Sequence, residues 1–228
     1  MSTPTSSASV PKFAITDHRQ VSRRWNDGSL SGGADDAVAA GVAKQLRVQE
    51  YNEQRQNRGD LPIQVGIGIH VGHMMLGMVG EDNRIQGDAF SDTVNLTSRL
   101  EGLTRFYGVS MVISGQTLNH LSNPDRYQTR FLDRVIVKGR NEPIAIYEVL
   151  DAETEAVQQL KRQAQIPFEQ GIECYRNHDL NDAKSQFEQV LAINPDDKTA
   201  SLYVDRIHHL IEHGIPENWN EAWTFSEK

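Results

Sequence analysis

The sequence predicts a mixed α/β domain followed by a short all-α segment, and three features of the chain point to it. Between residues 63 and 71, Ile63, Val65, Ile67, Ile69 and Val71 alternate with glycine and polar residues, the period of two that marks a strand. Leu96, Leu100, Leu103 and Tyr107 recur at i, i+4, i+7 and i+11, which makes a helix with one buried stripe. Beyond residue 151 the strand period is gone and the apolar residues follow helical spacing.

The 228 residues suffice for one ordinary core and a small second module, at about 150 residues per domain. A net charge of −8 argues against a general nucleic-acid or anionic-membrane surface. Cys174 is the sole cysteine, which excludes an intrachain disulfide and a cysteine-based zinc site and suits a reducing cytoplasm. The Ser/Thr/Pro-rich N-terminus shows no signal peptide. The apolar run Val65 to Gly80 is too short and glycine-rich for a membrane span.

Residues 1–33 lack a sustained apolar period and read as irregular or disordered. From Ala34 a helix begins, with Val38, Val42 and Leu46 expected in one stripe and Asp35 and Asp36 complementing the helix dipole at its start. N-R-G-D-L-P (57–62) ends it. The strand over 63–71 follows, its glycines leaving room for another backbone or subunit to come close. A turn at Gly72 leads into the hairpin partner M-M-L-G-M-V. His70 and His73 point to opposite faces with no third ligand nearby, so they read as structural; Met74, Met75 and Met78 read as packing filler.

Downstream of the central helix, V-S-M-V-I (109–113) is a short buried strand, and Ser114 is a natural N-cap for the helix after it. A turn at Asn123-Pro124-Asp125 precedes strands Arg130–Val137 and Ile144–Leu150. Strands alternating with helices, plus a terminal hairpin, give an α/β sandwich of the ferredoxin-like kind over residues 34–150, N-terminally incomplete. Residues 151–228 then form a helical module. Gly171, Tyr175, Ala183, Phe187 and Pro195 fall close to tetratricopeptide spacing. A single such repeat has to pack on the preceding domain, on a partner or on its own copy. Trp219, Trp223 and Phe225 are expected to dock onto the chain's own fold.

The central stretch Q-G-D-A-F-S-D-T-V-N-L-T-S-R-L-E-G-L (86–103) carries the chemistry. Asn95 and Arg99, four apart, sit one above the other on a face other than the leucine stripe. A carboxamide and a guanidinium so stacked are suited to a sugar and to charge developing on a phosphate. Asp88, just upstream, is placed to accept from an exocyclic amine or to hydrogen-bond within its own loop.

This stretch resembles the D-x-x-G-x-x-V-N-x-A-x-R segment of class III nucleotidyl cyclases, which make cyclic AMP or cyclic GMP from the triphosphate. I-Q-V-G-I-G-I-H-V-G-H-M-M-L-G-M-V-G (63–80) is similar to that family's glycine-punctuated hairpin, and F-L-D-R-V-I-V-K-G-R-N-E-P-I-A-I-Y-E-V (131–149) to its closing strands. The resemblance implies ATP as substrate, Asn95 orienting the ribose, Arg99 stabilising the transition state, Lys138 on the polyphosphate and Asp88 accepting from the adenine amine. It also implies Mg2+ or Mn2+ held by two aspartates, and a head-to-tail dimer with another cyclase-domain protomer. Asp17 and Asp27 are the only candidates for those aspartates and are too close in sequence for the family's connecting helices, so no metal ligand is assigned and exposed loop acids are the plainer reading. Two outcomes stay open. One is a cyclase holding the transition-state half of the site; the other is an inactive pseudo-cyclase that binds partners through its dimerising surface and helical repeat.

Overall fold

The computed structural model describes residues 15–16, 33–72, 75–81, 84–90, 92–137, 142–216, 219 and 221–225. Asp17, Asp27, His73, Met74 and Lys138 lie outside them. After a two-residue strand β1 (Ile15–Thr16), helix α1 runs over Gly33–Asn57. Its buried stripe is Ala34, Val38, Gly41 and Gln45, whereas Leu46 is 43% exposed. The apolar pattern misplaced this stripe because a polar residue occupies its last position. The Gln45 side-chain amide donates to the carbonyls of Val65 at 2.6 Å and Ser110 at 2.9 Å, so its burial is fully compensated.

The strand expected over 63–71 is shorter, as β2 (Ile67–Ile69) and β3 (Val71–Gly72), with Ile63 exposed. Among the described residues the hairpin expected between that strand and M-M-L-G-M-V is not made, and β2 pairs instead with Met111–Ile113. Strand β4 (Met75–Glu81) pairs antiparallel with β5 (Arg84–Phe90) in a separate ribbon, which puts Asp88 on a strand and not in a loop; helix α2 (Asp92–Tyr107) follows. Next come β6 (Met111–Ser114), short helix α3 (Gly115–Asn119), β7 (Thr129–Val137) and β8 (Ile144–Val149). Helices α4 (Glu155–Gln163), α5 (Gln165–Arg176), α6 (Leu180–Ile193) and α7 (Lys198–His213) precede a last strand β9 (Trp223–Phe225). The main sheet has the order β2-β6-β8-β7-β9, with β2–β6 and β7–β9 parallel and the two inner pairings antiparallel. Strand β9 corrects the all-helical expectation for residues 151–228, because the tail returns to pair with the free edge of β7.

Strand β2 is buried on both faces. One side meets α1, in a core of Val38, Ile67, Ile69, Met111 and Ile113. The other meets α2, whose Leu96, Leu100, Leu103 and Tyr107 share a core with Val112, Leu132, Val135 and Ile146, as the helical spacing required. The close approach that the glycines permit is therefore made by the chain's own α2. A Cβ on Gly68 would stand 2.4 Å from the Glu101 backbone nitrogen and 2.8 Å from the Thr97 carbonyl oxygen. Gly68→Ala is expected to push α2 off the sheet and cost about 1–3 kcal/mol, the usual penalty of overpacking, read as a lower urea midpoint.

His70 is buried and its Nδ1 lies 2.8 Å from Ser114 Oγ, in agreement with a structural role. Ser114 also caps α3, its hydroxyl accepting from the Thr117 N–H at 3.1 Å.

The C-terminal helices pack on the sheet domain. Their core is Phe168, Ile172, Tyr175, Ala183, Phe187, Val190, Tyr203 and Ile207. Gly171 lets Phe187 close in, since a Cβ there would lie 3.0 Å from its ring. Helix α7 is tied to the domain by Thr199 Oγ1 donating to the Tyr107 carbonyl at 3.2 Å and by the Tyr203 hydroxyl donating to the Leu132 carbonyl at 2.9 Å. The tail aromatics dock on the chain itself: Trp219 edge-on to Tyr175 at 5.0 Å, Phe225 edge-on to Phe106 at 4.8 Å, and Trp223 under the Arg206 guanidinium.

Two buried ionic clusters join sheet to helices. Arg130 of β7 bonds Glu148 of β8 through Nε, and Asp197 through Nη1 at 2.6 Å, while Lys161 of α4 bonds the other Glu148 oxygen. Arg206 of α7 bonds Asp133, which also accepts from the Tyr107 hydroxyl at 2.6 Å. A register shift between Phe131 and Asp133 leaves Leu132 and Asp133, consecutive in sequence, both buried. Burial raises the Asp197 carboxyl pKa, but the Arg130 guanidinium outweighs it and holds the group below the ordinary 3.8. Since the folded pKa is the lower one, this contribution to stability is complete above 3.8 and is lost as acid titrates the folded carboxylate. The urea midpoint is expected to fall as pH drops from about 5 to about 2.5, with a shallower fall in Asp197→Asn.

Candidate functional site

Helix α2 places the pair at the centre of the site. The face carrying Leu96, Leu100, Leu103 and Tyr107 is sealed against the sheet, which turns Asn95 outward into solvent and leaves Arg99 half-buried. Side chains four apart on a helix stand roughly 5–6 Å apart at Cβ. Among the described residues neither side chain has a bonded side-chain partner. Arg99 offers a planar fork of N–H groups matched to phosphate oxygens, and Asn95 offers both a donor and an acceptor.

The helix is tied to the sheet at its C-terminal end. Thr97 Oγ1 donates to the Thr93 carbonyl at 2.8 Å, Thr104 Oγ1 donates to the Glu101 carbonyl at 2.6 Å, and the Tyr107 hydroxyl donates to Asp133 at the far end. Burial is the largest influence on Tyr107 and, with the Asp133 charge, pushes its hydroxyl pKa well up, so it stays a hydrogen-bond donor at neutral pH. Asp88 lies on β5, paired with Gly77 of β4, on the strand that leads into α2. Asn95, Arg99 and the Asp88 backbone thus belong to one strand-to-helix unit. Lys138, between β7 and β8, falls outside the described residues.

Among the described residues no three His, Cys, Asp or Glu side chains gather as a cation site. No described helix is long and apolar enough to cross a membrane.

Sequence reasoning missed the residues that anchor α2 and the helical module to the sheet: Arg130, Asp133, Glu148, Lys161, Asp197 and Arg206, all buried. One signal was there to find. Glu148 occupies an inward position of I-A-I-Y-E-V, two residues from fully buried Ile146, and an acid there requires a buried cation.

A family model described as the adenylate and guanylate cyclase catalytic domain matches residues 30–150. The chain is 34% identical over 145 residues to the terminal-differentiation-specific adenylate cyclase of Dictyostelium discoideum, covering 63% of this chain and 7% of that protein. It is 39% identical over 123 residues to an adenylate cyclase of Anabaena cylindrica, covering 52% of this chain and 24% of that protein. The chain thus spans under a quarter of the length of either relative. The crystal structure of the adenylyl cyclase CyaB from P. aeruginosa overlays 54% of this chain on 61% of its own, at 28% identity and a TM-score of 0.47.

Proposed function

We infer that this chain, which belongs to the adenylate and guanylate cyclase catalytic domain family, acts on ATP through the open face of α2. The observation that carries the reading is the pairing of Asn95 and Arg99 one helical turn apart, outside the sealed leucine stripe and bonded to no other described side chain. In this role Asn95 hydrogen-bonds the ribose and holds its 3′-hydroxyl in line with the α-phosphorus. Arg99 lies against the phosphate oxygens and stabilises the charge that develops as diphosphate departs. Asp88 accepts from the adenine amino group, which favours adenine over guanine because guanine has a carbonyl at that position. Lys138 binds the polyphosphate. The products are cyclic AMP and diphosphate.

On this reading the carboxylates that would hold the family's magnesium or manganese, and with it neutralise phosphate charge, come from a second cyclase protomer. The chain therefore works in a heterodimer, and a self-dimer would duplicate the same half of the site. Residues 34–150 form the cyclase-like domain. Residues 151–228 form a module in which α5 and α6 make one tetratricopeptide-like repeat, available to a protein partner. The intracellular role is cyclic-nucleotide signalling in the cytoplasm.

The experiment mixes the purified chain with a full-length cyclase whose own transition-state arginine has been replaced, adds ATP and manganese, and measures cyclic AMP. Product from the mixture and none from either chain alone supports the reading. A mixture as silent as its components overturns it. The second reading is a pseudo-cyclase that regulates a true one, favoured by the short spacing between Asp17 and Asp27. It is distinguished by partner binding that is indifferent to ATP and to Arg99→Ala.

A further inference from the structure

We propose that His209 and His213 form a two-point site for a divalent transition metal of the zinc and nickel class on the last turn of α7. Residues four apart share a helix face, and here the rings lie face to face, with centroids 4.2 Å apart and 27° between their planes. Both side chains are exposed. The Nδ1 of His213 lies 3.0 Å from the His209 carbonyl oxygen. A carbonyl oxygen only accepts, so this Nδ1 carries the hydrogen and the lone pair of the neutral ring is on Nε2. A backbone carbonyl holding the other ring nitrogen is the arrangement that orients a metal-bound imidazole.

Metal–nitrogen bonds of roughly 2 Å at a tetrahedral angle set two ligating nitrogens about 3.3 Å apart. In the stacked pair the in-plane lone pairs run side by side. Binding therefore requires both exposed side chains to rotate and open the stack until the two Nε2 atoms converge, which the i, i+4 spacing permits. Neutral imidazoles select zinc, nickel and copper, whereas magnesium and manganese prefer oxygen ligands, so this site is chemically separate from the ions used in cyclase catalysis. No third His, Cys, Asp or Glu among the described residues completes the group; water fills the remaining positions and the affinity is modest. Exposed Asp205, one turn earlier on the same stripe, adds favourable charge.

The location gives the ion a structural consequence. Helix α7 ends at Gly214, whose φ of 83° only glycine adopts readily. From there the chain runs on to Trp219, which packs on Tyr175. A metal bridging His209 and His213 closes the final turn just before this exit and stabilises the folded state by binding it preferentially.

The test titrates the chain, free of any histidine tag, with zinc and with nickel by calorimetry at neutral pH, and follows the thermal midpoint with and without metal and after chelation. The expected result is a midpoint that rises with metal and returns with chelator. His209→Ala or His213→Ala should weaken binding at least about tenfold, and the pair together should remove one metal per chain. His208→Ala, on a neighbouring face, leaves binding unchanged. Circular dichroism of the metal-free variants checks that α7 persists. No binding up to millimolar metal overturns the proposal, as does binding that survives the double substitution, which would place the ion on other histidines.

Discussion

An Arg99→Ala chain is expected to fail in the complementation mixture, with cyclic AMP formation reduced by about 10²–10³-fold, the usual loss when one preorganised donor to a transition-state charge is removed. Stability should hardly change. Arg99 is half-buried and bonds to no other described side chain, so its removal strands no partner among the described residues. The combination of lost turnover with an unchanged urea midpoint is the signature of a residue that acts on substrate. Arg99→Lys tests the same point more finely: it keeps the charge but lacks the planar fork, and should recover only part of the rate. Undiminished turnover in Arg99→Ala would remove the guanidinium from the reaction.

Arg130→Ala is expected to have the largest effect on stability, about 3–5 kcal/mol, because it breaks a buried pair and leaves charge behind. Arg130 is 6% exposed and serves two carboxylates at once, Glu148 on the neighbouring strand and Asp197 at the start of α7. Without it Glu148 retains Lys161, but Asp197 loses its bonded cation. Asp197 also caps α7, accepting from the Ala200 N–H at 3.1 Å, so the damage passes directly to the helix that anchors the module. Arg130 additionally lies over the Phe168 ring at 4.2 Å, which couples the cluster to α5. Urea unfolding followed by tryptophan fluorescence reads the change, since Trp219 and Trp223 both report on the helical side. A midpoint equal to that of the unmodified chain would show that the cluster is energetically idle.

The elements that depend on period were legible in advance. The stripe Leu96, Leu100, Leu103 and Tyr107 is buried as its spacing demands, the Ser114 cap is present, and β7 and β8 pair near the predicted limits. Where period alone was used against a polar residue it failed. Leu46 is exposed because Gln45 takes the buried position and satisfies two carbonyls 20 and 65 residues away. The glycines at 66 and 68 were legible as a place of close approach but not as to what approaches; their neighbours are Thr104, Glu101 and Thr97 of α2.

The sealed face of α2, the placing of Asn95 and Arg99 off that face, and strands β6, β7 and β8 were determined by the sequence itself, because hydrophobic burial acts along local periods. That β4 pairs with β5 and that β9 joins the sheet beside β7 were not. Which helix fills the glycine groove, how Arg130, Glu148, Lys161 and Asp197 converge, and where the tail aromatics land were decided only by the tertiary structure. A buried charge is tolerated only where its counter-charge arrives from another element, and that meeting is a property of the packed chain.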